Sequence, residues 1–220
     1  MNSVRLWYKK SGLAIYTSHL DMNRCFTRAV RMAGIPIWYT EGFNPHPYIT
    51  FLLPLPLGQT GTREPIDIRT EQDISAEEIK SRLNAVLPQG IEIIDVTESV
   101  NKSALITSSR YIIDMDFGSE GEATGFACGI SDVIDSGVLN AEKRSKRGTK
   151  TVNLCEYVES FSAVSDGCRV RIETVLKTGT DKNLNPALLC SALCSEFAAE
   201  PLKTDITRTE IYMESGKIFF

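Results

Sequence analysis

Both histidines of this 220-residue chain fall within one stretch, YTSHLDMNRCFTRAVRMAGIPIWYTEGFNPHP: His19 in SHLD and His46 in GFNPHP. Two imidazoles titrating near neutrality suit acid–base cleavage of a phosphodiester, with Asp21 placed to orient one of them. Between the two motifs runs a second kind of chemistry. Asp21, Arg24, Arg28 and Arg31 recur at i, i+3, i+7 and i+10, which at ~100° per residue confines them to about 80° of a helix surface. Arginine forks match phosphate oxygens bidentately, and Lys9 and Lys10 on the preceding segment could join them. A further basic run, KRSKRGTK, brings Lys143, Arg144, Lys146, Arg147 and Lys150 together without an acid. At a hairpin tip such a run reaches nucleic acid like a finger. The bland alternative for each feature is a capped helix, a proline turn and a solvated hairpin end.

The GFNPHP loop has a definite local meaning. Gly42 permits positive φ, Pro45 and Pro47 fix φ, and Asn44 and His46 are each pushed to extended backbone by the proline that follows. Such a loop is stiff and presents Asn44 and His46 on a fixed edge. Trp38, Tyr39, Phe43, Tyr48 and Phe51 surround it, and aromatic rings of this kind stack on unpaired bases.

Composition narrows the field. The net charge of −4 and pI near 5.4 give no global basic field, so nucleic-acid binding would rest on local patches. No apolar run reaches the ~18 residues of a membrane span, and MNSVRLWYKK lacks the apolar region of a signal peptide. A cytoplasmic protein without membrane association is expected. The six cysteines (Cys25, Cys128, Cys155, Cys168, Cys190, Cys194) contain no CxxC pair, so free thiols are expected and a zinc ribbon is not. Cys190 and Cys194 would need a third cysteine at 197 for a CxxxCxxC iron–sulfur motif, and that position is Phe197. No metal site and no cofactor are expected.

The elements that would position these residues can be read from periodicity. VRLWYKK, with LAIYT after Gly12, reads as a first strand with a bend; SHLD starts a helix through a capping box at Ser18 and Asp21. Met22, Cys25, Phe26, Ala29, Val30 and Ala33 form its apolar stripe, and Gly34 with Pro36 ends it. IPIWYT and YITFLLPLPLG read as strands around the loop. EPIDIRTE follows as a strand, SAEEIKSRLNAVLP as a helix, and GIEIIDVTESV as a strand. The order is that of a split βαβ unit. ALITSSRYIIDMDF, GEATGFACGISDVIDSG, the segments flanking the basic run, CRVRIETVLKTG, NPALLCSALCSEFAAE and ITRTEIYMESGKIFF repeat that order. DMDFGSEGE reads as a solvated acidic loop. The predicted fold is α+β, two ferredoxin-like (split βαβ) sandwiches in tandem, with domains at 1–102 and 103–220.

On KKSGLAIYTSHLDMNRCFTRAVRMAGIPIWYTEGFNPHPYITFLLPLPLG the chain resembles the radical SAM-linked protein family, a bacterial domain of unknown function. KTVNLCEYV, NLNPALLCSAL and EIYMESGKIFF extend the resemblance over essentially the whole chain. Its signature positions fall here on Lys10, Gly12, Ser18, His19, Asp21, Arg24, Arg28, Gly42, Asn44, Pro45, His46 and Pro47. Tyr48 stands where the family pattern has lysine, and Cys25 where larger residues are usual. The resemblance implies association with cobalamin-type radical SAM proteins and, through gene neighbourhood, work on RNA or the ribosome. The expected function is an accessory RNA-binding module for a radical SAM partner, without being a radical SAM enzyme itself. The nucleic-acid contacts expected are Lys10, Arg24, Arg28, Arg31, Asn44, His46, Lys143, Arg144, Lys146 and Arg147. The alternatives are a metal-independent RNA-processing enzyme using His19 and His46, with Asp21 as helper, and a pure protein-interaction module.

Overall fold

The computed structural model describes residues 2–145, 148–179 and 182–220. They divide into two compact units, the first ending at Leu105 but including Phe220, the second running from Ile106 to Phe219.

In the first unit, β1 (Asn2–Lys10) leads through a short 3-10 turn into α1 (His19–Met32), followed by β2 (Ile49–Phe51), β3 (Gln59–Thr70), α2 (Ala76–Asn84) and β4 (Ile91–Glu98). The strands lie in the order β4-β1-β3-β2, and every neighbouring pair is antiparallel. Strand alternation assigns the faces. Leu6 and Tyr8 of β1, Ile66 and Ile68 of β3 and Ile93 of β4 point to the helices, where Phe26, Val30, Ile79 and Leu83 close a buried core. Both helices begin on a serine that accepts the backbone N–H three residues on, Ser18 from Asp21 and Ser75 from Glu78, satisfying donors that would otherwise lack partners.

Two expected strand segments differ. LAIYT is not a continuation of β1 but the 3-10 turn Gly12–Tyr16, because Gly12 takes φ +58 and the Ser11 N–H is drawn to the Gly90 carbonyl. IPIWYT forms no ladder, only single bridges from Ile37 to Thr70 and Tyr39 to Pro47. Proline supplies no N–H, and the segment contains Pro36 and pairs with Pro47.

The second unit runs β5 (Ile106–Asp116), α3 (Glu120–Ser136), the hairpin β6 (Asn140–Ser145) and β7 (Gly148–Asn153), β8 (Val158–Asp166), β9 (Arg169–Lys177), α4 (Pro186–Glu196) and β10 (Lys203–Met213). Its main sheet is β10-β5-β9-β8, antiparallel throughout. With the β6–β7 hairpin set aside, this is the first unit's order of elements and of sheet neighbours. Ile113, Met115, Val170 and Ile172 meet Phe126, Ile130, Leu189 and Leu193 in its core. The acidic DMDFGSEGE is not a loop. Asp114 and Asp116 lie on β5, paired with Arg171 and Arg169 of β9, Phe117 is buried, and Ser119 caps α3. The architecture is α+β. No described helix is long and apolar enough to cross a membrane.

Candidate nucleic-acid interface

The apolar stripe of α1 fixes what its opposite face shows. With Met22, Phe26, Ala29 and Val30 buried, Asp21, Arg24, Arg28 and Arg31 are all exposed. The Asp21 carboxylate accepts from Ser18 Oγ at 2.7 Å and from Arg24 at 3.1 Å. The Ser18 hydroxyl first, and then Arg24, hold this carboxyl below its ordinary range. Both of its oxygens are thus engaged, and Asp21 serves the helix cap rather than orienting an imidazole. Arg31 donates to the Tyr39 hydroxyl at 3.1 Å and lies 5.8 Å from that ring. The Arg28 side chain has no hydrogen-bond or ion-pair partner among the described residues. Beside this row runs an open groove of about 480 Å³ whose floor includes Cys25, Met32 and Pro88. A cationic rim thus borders an apolar trough, an arrangement able to take phosphates at its edge and flat groups along its floor.

Lys10 does not belong to this surface. It is 1% exposed, and its Nζ donates to the Thr17 carbonyl at 2.9 Å. Burial lowers its pKa, with buried Glu64 pulling the other way. Gly61, its partner across β1 and β3, leaves the room that the Glu64 side chain fills: a Cβ there would lie 2.5 Å from it. The lysine expected to contact nucleic acid holds the turn before α1 to the sheet, while Lys9 remains exposed.

The GFNPHP loop closes on itself. Thr40 N–H donates to the His46 carbonyl at 2.9 Å, His46 N–H returns a bond to Thr40 Oγ1 at 3.2 Å, and His46 Nδ1 faces the Asn44 carbonyl at 3.2 Å. The same Nδ1 lies 3.0 Å from Thr40 Oγ1, a hydroxyl able to donate or accept, so the ring is held from its Nδ1 edge. Asn44 and His46 are exposed, and Phe43 is fully so. His19, at the first position of α1, instead packs edge-on against Phe51 at 5.1 Å between centroids, at the rim of a cluster with Tyr8 and Phe26. The two imidazoles have separate partners and share none among the described residues.

A third group was not visible in the sequence as a site. Arg69 stacks over Tyr48 at 4.3 Å and lies 5.5 Å from Trp38. All three are half-buried. The loop aromatics are evident from the sequence, but Arg69 is reached only through the pairing of β3. Of the basic hairpin, Lys146 and Arg147 lie outside the described residues, as do the side chains of Lys143 and Arg144 on β6. No cluster of three or more His, Cys, Asp or Glu able to hold a metal occurs among the described residues. The cysteines are free, and burial pushes Cys190 up to about 12.

A family model described as "Uncharacterized protein conserved in bacteria (DUF2344)" matches residues 3–186. No curated protein matches the sequence. Among solved structures, a chain of the crystal structure of a Cbf5-Nop10-Gar1 complex is similar with a TM-score of 0.50 at 10% identity, covering 96% of this chain and 50% of that one. This chain therefore spans half the length of that neighbour, and the likeness concerns the fold alone. An unknown protein from Galdieria sulphuraria matches over 100% of this chain and 99% of its own, with a TM-score of 0.27 and 10% identity.

Proposed function

We propose an accessory RNA-binding role for this chain, which belongs to the DUF2344 family of proteins conserved in bacteria. The observation that carries it is the solvent face of α1. Three guanidiniums project from one rigid helix, a single carboxylate answers them, and an apolar groove runs alongside. Phosphate contacts of this kind give affinity without reading sequence. The exposed loop edge at Asn44 and His46 would meet base or ribose groups. In this reading both units are ferredoxin-like, as the recurring strand order suggests. The partner is a radical SAM protein, a placement that rests on the resemblance of the SHLD and GFNPHP motifs alone. The chain works in the cytoplasm as a module that presents RNA and does no chemistry itself. The His19/His46 enzyme is not favoured, because each ring is held by its own neighbours.

The test is RNA binding as a function of salt. For a single strand the slope of log K against log salt is about −0.7 per phosphate contact, so Arg24→Gln with Arg28→Gln should flatten it by roughly 1.4. The exposed position of both residues leaves the fold unchanged, which circular dichroism checks. An unaltered slope and affinity would remove the α1 face from the interface.

A further inference from the structure

Cross-strand register places a second polar constellation on the face of the first unit's sheet that the helices do not cover. Arg69 of β3 stands opposite Ser3 of β1, and Tyr48 just precedes β2, whose Ile49 pairs with the neighbouring Ile68. The next row is Arg5, Asp67 and Thr50. Side chains of such rows share one face, and here they floor an open cavity of about 470 Å³ walled on one side by residues 99–104.

The charges in this cavity do not cancel. Asp67 is taken by Arg5, at 2.8 and 3.1 Å, and by Ser99 Oγ at 2.6 Å. The guanidinium of Arg69, two residues along the same strand face, has no hydrogen-bond or ion-pair partner among the described residues. Its guanidinium carbon lies 4.3 Å from the Tyr48 ring centroid, a stacking contact that uses none of its N–H donors. Lys102 adds a second cation to the wall. An oriented, unpaired guanidinium in a half-enclosed site is a receptor for a planar or tetrahedral anion. The aromatic pair beside it, with Trp38 and Tyr48 rings 5.8 Å apart, offers π surface to a flat group carried by the same ligand.

We propose that this cavity binds one nucleotide unit, its phosphate on Arg69 and Lys102 and its base against the Tyr48 ring. The site is separate from the α1 face and stands whether or not that face binds RNA. The unit can be a free mononucleotide or one residue of a single strand, and these are the two arms of the test.

Calorimetric titrations with adenosine and uridine 5′-monophosphate, and with a short single-stranded oligouridylate, are run on the full chain, on Arg69→Gln, and on the Arg24→Gln/Arg28→Gln double variant. Losing a charged hydrogen-bond pair predicts a drop on the order of 10-fold or more for Arg69→Gln. A drop for mononucleotides identifies the free ligand; a drop for the oligonucleotide only identifies a strand residue. Either result with the α1 double variant unaffected supports the cavity while removing the α1 reading. Circular dichroism confirms folding, and Tyr48→Phe, which keeps the ring, retains binding where Tyr48→Ala loses it. Unchanged affinity of folded Arg69→Gln for every probe overturns the proposal.

Discussion

Replacing Arg5 with methionine tests whether the wall of the helix-free face is held by a buried charge. The guanidinium is completely buried, and the side chain of its partner Asp67 is 19% exposed. Beyond the two bonds to Asp67, Arg5 donates to Ser99 Oγ at 3.2 Å and to the carbonyls of Asn101 and Phe220. Removing one partner of a buried pair strands the other, at a cost of ~3–5 kcal/mol. An exposed pair would be worth about 0–1 kcal/mol, so the location of the pair decides the expectation. Changing Asp67 to leucine as well removes the stranded carboxylate and recovers part of the loss. Recovery stays incomplete, because the Asn101 carbonyl loses its charged Arg5 donor, a bond worth about 1.5–3 kcal/mol, while the Phe220 carbonyl keeps the Asn101 Nδ2 donor at 2.8 Å. Urea denaturation at neutral pH measures all three proteins at a common m-value. A loss below about 1 kcal/mol in the single variant would mean that water reaches the site and takes over the bonds, and the reasoning from burial would fail.

Two further predictions concern packing and pH. Gly129 and Gly125 lie one turn apart on α3, yet a Cβ at 129 would sit 2.4 Å from the Phe197 ring while one at 125 meets nothing within 4 Å. Thermal melts should therefore show Gly125→Ala stabilising by up to about 1 kcal/mol from helix propensity and Gly129→Ala destabilising by roughly 1–3 kcal/mol from overpacking. In a Phe197→Ala background, Gly129→Ala should become stabilising; a loss that persists there would exclude the clash as its cause. Asp21 has a depressed folded pKa, by the Ser18 hydroxyl first and Arg24 second. Its contribution to stability is then complete above the unfolded value of about 3.9 and disappears as pH falls through the lower folded value. NMR titration should show the Asp21 midpoint rising toward the ordinary carboxylate range in Ser18→Ala, and an unmoved midpoint would discard the capping hydroxyl as the cause.

What the sequence could and could not disclose follows from where each partner lies along the chain. α1 was legible because its determinants are local: Ser18 accepts from Asp21 three residues on, the buried stripe Met22, Phe26, Ala29 and Val30 repeats at helical spacing, and the arginine face follows by subtraction. The same logic found α2, α3 and α4. Sheet faces obey a different rule. Arg5 and Asp67 are 62 residues apart, and Arg69 meets Tyr48 only because β2 and β3 pair in one register out of several. A slip by one residue would send every side chain of β2 to the other face. No spacing in the sequence encodes that choice, so the Arg69 cavity was out of reach. Lys10 is the instructive intermediate. Within VRLWYKK, Leu6, Tyr8 and Lys10 share a parity, and strand alternation sends Lys10 to the side of the two apolar residues, while Arg5, Trp7 and Lys9 take the other side. Reading the lysine as a surface cation weighed its charge above its parity. In a strand the parity determines the face, and a charge placed on the core side is kept there by a carboxylate such as Glu64 and a carbonyl such as that of Thr17.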